Sequence, residues 1–166
     1  MTAAGQSRKS ARAGLAPLCA GLALALCGAA ALHAATAERV VADPHTGLAL
    51  YGFDPVSYYT EGQPVPGAAD FEYRLAGVSW RFRNAGNRAA FAANPEIYTP
   101  RFGGYDPLGV ARGVATPGHP QVWVRRDDRI YLFHKAETRA AFDADPQGAI
   151  AAAEGHWPQV MKDLLP

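Results

Sequence analysis

The sequence predicts an α+β fold of two tandem units, each a β-hairpin followed by a helix, sharing one small core. Three observations carry the prediction. Residues 78–95, VSWRFRNAGNRAAFAANP, alternate like a half-buried strand and then run as a short capped helix. The same phrase returns fifty-one positions later at residues 129–146, RIYLFHKAETRAAFDADP. A third phrase, Gly52-Phe53-Asp54-Pro55-Val56, returns after fifty-two as Gly104-Tyr105-Asp106-Pro107-Leu108. Together they read as an internal duplication.

In the first unit, Trp80 and Phe82 alternate with Ser79, Arg81 and Arg83, the period of two of a strand with one buried face. Asn84 is placed to cap the next helix, whose apolar residues are Ala89, Ala90, Phe91 and Ala93. Asn94-Pro95 stops it, because the residue before a proline is pushed out of the α region. In the second unit Tyr131 and Phe133 take the places of Trp80 and Phe82, and Phe142 that of Phe91. The hairpin partners are residues 71–75, turning at Ala76-Gly77, and residues 122–126, turning at Asp127-Asp128.

The units differ after their helices. Residues 96–104 are aromatic and glycine-rich and read as irregular. After the second helix, Asp145-Pro146 opens a helix through Ile150 to Glu154 that ends near Gly155, and a last short helix runs from Gln159 to Leu165. Ile150, Trp157, Val160 and Leu164 are expected to close the core. The resulting plan is a loose lead over residues 38–47 and one domain over 48–166, with units at 52–98 and 104–150.

The first 37 residues read as a secretory signal peptide. Arg8, Lys9 and Arg12 form a basic start without acids, residues 13–31 are apolar, and Ala35-Thr36-Ala37 is an A-x-A site. A membrane anchor is the alternative, since the run approaches the ~20 residues that span a bilayer; the small alanines and the A-x-A site favour cleavage. The cut falls near Ala37, or a few residues earlier after Ala34 or Ala35. Arg8-Lys9 is not a twin arginine, so the general secretory route into a periplasm is expected. Leu26, bulky where a small residue belongs, argues against lipid attachment at Cys27.

Cleavage would have two consequences. Cys19 and Cys27 both lie in the segment removed, so no disulfide or thiolate remains. Three of the sixteen bases lie within the first 37 residues and all fifteen acids lie beyond Ala37, leaving a net charge of −2. Arg125, Arg126 and Arg129 are interrupted by Asp127 and Asp128, so no basic stripe exists for nucleic acid. Contact with a membrane is expected only during export.

The series Trp80-Arg81-Phe82, Phe91 and Asn94-Pro95-Glu96-Ile97-Tyr98 resembles the YHS-domain family, in its secreted, stand-alone branch. The stretches 52–59 and 98–105, Trp123 before Ile130-Tyr131-Leu132, and His156-Trp157-Pro158 extend the resemblance over residues 48–158. Family members are suspected of binding metals through cysteines, at a corner reading F-C-x-x-x-C-x-x-x-F. Here that frame holds Phe82, Arg83, Asn87 and Phe91, and in the second unit Phe133, His134, Thr138 and Phe142. Only His134 among those ligand positions can hold a metal. Asp106 stands where the secreted branch often has a cysteine. The suspected cysteine site is therefore not carried over.

Candidate site residues are few. Asp54 and Asp106 are either a carboxylate pair brought together by pseudo-symmetry, able to hold a cation or act as acid and base, or caps of the turns that follow them. Four histidines follow the signal, and none shows paired metal-ligand spacing. Asp106, His119 and His134 are the best oxygen and imidazole ligands for a divalent transition metal. Tyr51, Phe53, Tyr58, Tyr59, Tyr98, Phe102 and Tyr105 cluster about the two unit openings; most are expected in the core, and the tyrosine hydroxyls suit a small-molecule pocket between the units; Asp54 and Tyr105 are candidates to line it. Ser57 and Ser79 lie in no nucleophile elbow, and Gly103-Gly104 is no phosphate loop. The expected function is a non-catalytic, exported binding or accessory module for a small ligand or a protein. A metal-handling protein and an enzyme with paired carboxylates are the alternatives.

Overall fold

The computed structural model describes residues 40–164. The expected signal peptide lies outside those residues. The described chain is α+β, with three antiparallel hairpins and six helices. Strand β1 (Phe53–Asp54) pairs with β2 (Val65–Pro66), β3 (Ala68–Leu75) with β4 (Val78–Phe82), and β5 (His119–Arg126) with β6 (Arg129–Phe133). The helices are α1 (Ser57–Thr60), α2 (Ala85–Ala93), α3 (Pro95–Tyr98), α4 (Pro107–Val110), α5 (Ala136–Ala144) and α6 (Pro146–Asp163). The hairpin β3–β4 runs into α2, and β5–β6 into α5.

Local chemistry explains these boundaries. Ala76 and Gly77 turn one hairpin at φ 54° and 80°, and Asp127 and Asp128 the other at 48° and 54°. Left-handed residues at both turn positions match the twist of the flanking strands. Asn84 accepts the Asn87 N–H at 2.8 Å and Asp145 the Gly148 N–H at 3.0 Å, the two expected caps. Asn94-Pro95 does end α2, and Pro95 then opens α3 within the link expected to be irregular.

The two openings share one backbone course. Leu50, Tyr51 and Gly52 have φ of 50°, 55° and 81°; Phe102, Gly103 and Gly104 have 53°, 60° and 87°. Left-handed backbone costs a non-glycine residue roughly 1–2 kcal/mol, and burial of Leu50 and Phe102 offsets it at two of the three such positions. Gly67 N–H donates to Gly52 O at 2.9 Å, and Gly118 N–H to Gly104 O at 3.0 Å. A Cβ on Gly67 would come within 2.5 Å of the Arg81 carbonyl carbon, and one on Gly118 within 2.6 Å of Leu132 Cβ. Backbone approach this close admits only glycine.

The shared core takes the form of two clusters that meet on β6. Ile130 and Leu132 pack with Leu50, Val56, Tyr58, Trp80, Phe82 and Phe91. Tyr131 and Phe133 pack with Phe102, Val110, Phe142, Ala153, Trp157 and Val160. Alternate side chains of a strand face opposite ways, so β6 is buried on both faces, whereas Ser79 and Arg81 of β4 stay part-exposed.

Two expectations need correction. The described part of the lead, from Val40, is tied down: Val41 is 2% exposed, its N–H donates to Gly103 O at 2.8 Å, and its carbonyl accepts the Leu50 N–H at 2.8 Å. The apolar run Val40-Val41, returning as Leu48-Ala49-Leu50 across a turn, supplies the anchor. The C-terminal region is one helix of 18 residues, not two with a break at Gly155 to Pro158. Its buried residues Ala153, Trp157 and Val160 recur at helical spacing across Gly155 and Pro158, so tertiary packing overrides both breakers.

Candidate functional site

Asp54 and Asp106, the most conspicuous pair in the sequence, are 0% and 1% exposed. Oδ1 of Asp54 accepts the Val56 N–H at 2.8 Å, while Oδ2 accepts the Arg83 N–H at 2.8 Å and the Asn87 Nδ2 amide at 2.7 Å. Oδ1 of Asp106 accepts the Leu108 N–H at 2.9 Å and Oδ2 the His134 N–H at 2.9 Å. Each carboxylate caps the turn beside it and also holds the strand-to-helix corner of its unit. Arg83, through its backbone, and Asn87, through its side chain, thus both donate to Asp54.

The remaining candidates sit apart from one another in their bonding. His134 is exposed, with Nδ1 at 3.2 Å from the Pro117 carbonyl. His119 is exposed, accepts the Gln121 N–H at 3.2 Å and stacks on Tyr51 with ring centroids 6.5 Å apart. Tyr105 is half-buried, its ring against Trp157 at 6.2 Å. Among the described residues no group of three or more His, Cys, Asp or Glu side chains is placed to hold a metal ion. Nor, among those residues, is any helix long and apolar enough to cross a membrane.

A cleft of about 440 Å³ lies elsewhere, lined by Tyr59, Ile97, Arg125, Asp127, Asp128 and Arg129. Tyr59 comes from α1 and Ile97 from α3, both in the first unit; the other four form the tip of β5–β6 in the second. The Tyr59 hydroxyl joins the sides, 2.9 Å from Ile97 O and 3.2 Å from Asp128 O. Arg125 lies 4.9 Å over the Tyr59 ring and pairs with Asp128 at 2.6 Å. Tyr98 meets the same ring edge-on at 5.3 Å. Burial raises the Tyr59 hydroxyl above its ordinary pKa, and the charges of Arg129 and Arg125 oppose that shift.

Sequence reasoning reached Tyr59, through the tyrosine cluster, but not its partners. Arg125 and Arg129 register there only as parts of a broken basic run, and Ile97 only as part of a family phrase. The available signal was the hairpin turn at Asp127-Asp128, whose flanking arginines must emerge at one tip.

These features define a small α+β protein with a mixed polar and apolar cleft between α1, α3 and the tip of β5–β6. Comparison with models of protein families, with curated proteins and with solved structures finds no match.

Proposed function

We propose that the protein is an exported, non-catalytic binding or accessory module, akin to the secreted YHS branch, that takes its ligand between its two units. The observation that carries this reading is the cleft itself. About 440 Å³ falls within the ~300–1,000 Å³ of small-molecule sites, and it combines the Tyr59 and Ile97 side chains with four charged ones. The engagement of Asp54 and Asp106 with backbone amides supports the same reading, because the pair best suited to acid–base work is committed to the fold.

Export rests on the order of Arg8, Lys9 and Arg12, the apolar run and Ala35-Thr36-Ala37. Fractionation of a Gram-negative host and N-terminal sequencing test it. The periplasmic form is expected to begin near Glu38; a chain that starts at Met1 and stays with the membrane would refute export. Turnover of a small molecule by the purified protein would refute the non-catalytic reading.

A further inference from the structure

The two arginines of the cleft are held differently. Arg125 is satisfied by Asp128 at 2.6 Å and by the Tyr59 ring at 4.9 Å. Arg129 is different. Among the described residues its Nη2 reaches only the Thr99 carbonyl, at a long 3.4 Å, and its buried Nε has no acceptor. Among those residues it also joins no ion pair. Beside it Ile97 is 43% exposed, an apolar side chain left open to solvent at the cleft.

We infer that this cleft binds a small monocarboxylate with an apolar body, its carboxylate on Arg129 and its body against Ile97 beside Tyr59. The inference rests on the binding-module reading above and names the ligand class. The guanidinium fork is planar and matches a carboxylate with two parallel hydrogen bonds. A phosphate offers similar oxygens, but its second charge would meet Asp127 and Asp128 in the lining, where like charges repel. The clamp formed by the Tyr59 hydroxyl holds both sides of the cleft in place before a ligand arrives, which lowers the cost of binding.

Phenylacetate titrated into the nitrogen-labelled full chain, followed by amide NMR, tests the assignment. Saturable shifts confined to Tyr59, Ile97 and residues 125–129 are expected. Arg129→Gln should weaken binding about tenfold or more, the scale of a lost charge-assisted pair. Ile97→Ala, at an exposed position where folding is not at stake, should weaken it about threefold by removing apolar contact. Phenethylamine, with the opposite charge on a similar body, should not bind. The assignment is overturned by no saturation up to about 10 mM, by unchanged affinity in Arg129→Gln, or by preference for the amine. Should Arg129→Gln fail to fold, Ile97→Ala and the amine decide. These failures would leave the binding-module reading standing, with its ligand elsewhere; conversion of phenylacetate to a product would sink that reading instead.

Discussion

The Oδ2 atom of Asp106 accepts the backbone N–H of His134 at 2.9 Å, across 28 residues of chain. Asp54 does the same for Arg83 at 2.8 Å across 29 residues. Each bond joins the opening of a unit to the point where its hairpin becomes a helix, so two residues resembling a catalytic pair serve as internal struts.

Replacing either carboxylate should therefore cost stability. Asp54→Ala strands three donors, those of Val56, Arg83 and Asn87, and Asp106→Ala strands two, those of Leu108 and His134. A buried donor left unsatisfied costs roughly 1–3 kcal/mol, so both variants should lose several kcal/mol, Asp54→Ala the more. Urea denaturation checks this: the midpoint should fall while the slope stays constant.

The glycines divide by the space around them. Gly67→Ala and Gly118→Ala would each drive a Cβ to 2.5 Å from backbone, against Arg81 and against Gly104 O respectively. Overpacking of that kind costs about 1–3 kcal/mol or more. Gly155→Ala, in the interior of α6 with nothing within 4 Å of the new Cβ, should instead stabilise by about 0.5–1 kcal/mol. Equal effects at the three positions in thermal melts would contradict the close approach.

Pro158→Ala should also raise the melting temperature. Proline inside α6 leaves the Glu154 carbonyl without its usual N–H partner, and a helix interior disfavours proline by roughly 3 kcal/mol relative to alanine. Part of that should be recovered. A lower melting temperature would mean that the packing of Trp157 depends on a bend at this point.

Tyr58 should make the protein sensitive to alkali. Its hydroxyl donates to Pro120 O at 2.8 Å, and burial raises its pKa well above the ordinary value near 10. Below pH ~10 both folded and unfolded chains keep this proton, and the contribution to stability is complete. Above it the unfolded chain ionises first, so stability falls as pH rises until the folded tyrosine also ionises. Denaturation midpoints across this range should decline, and Tyr58→Phe should lessen the decline. Burial raises Tyr59 and Tyr131 as well, so part of the slope should survive.

Short-range chemistry determined what could be read without coordinates. The turns at Ala76-Gly77 and Asp127-Asp128, the cap at Asn84, the stop at Asn94-Pro95 and the α+β order all depend on residues within a few positions of one another. Tertiary structure alone decided the rest. Ile130 to Phe133 read as a half-buried strand by analogy with Trp80 and Phe82, yet both faces of β6 are covered, because each core cluster packs on one of them. Gly155 and Pro158 read as a break, yet Ala153, Trp157 and Val160 hold one helix through them. Asp54 and Asp106 were legible as turn caps, but their second bonds reach amides 29 and 28 residues away that local sequence does not specify. The cleft is the extreme case: Tyr59 and Ile97 meet Arg125 and Arg129 only because the tip of β5–β6 folds back onto the first unit, and that meeting is fixed by packing rather than by any local preference.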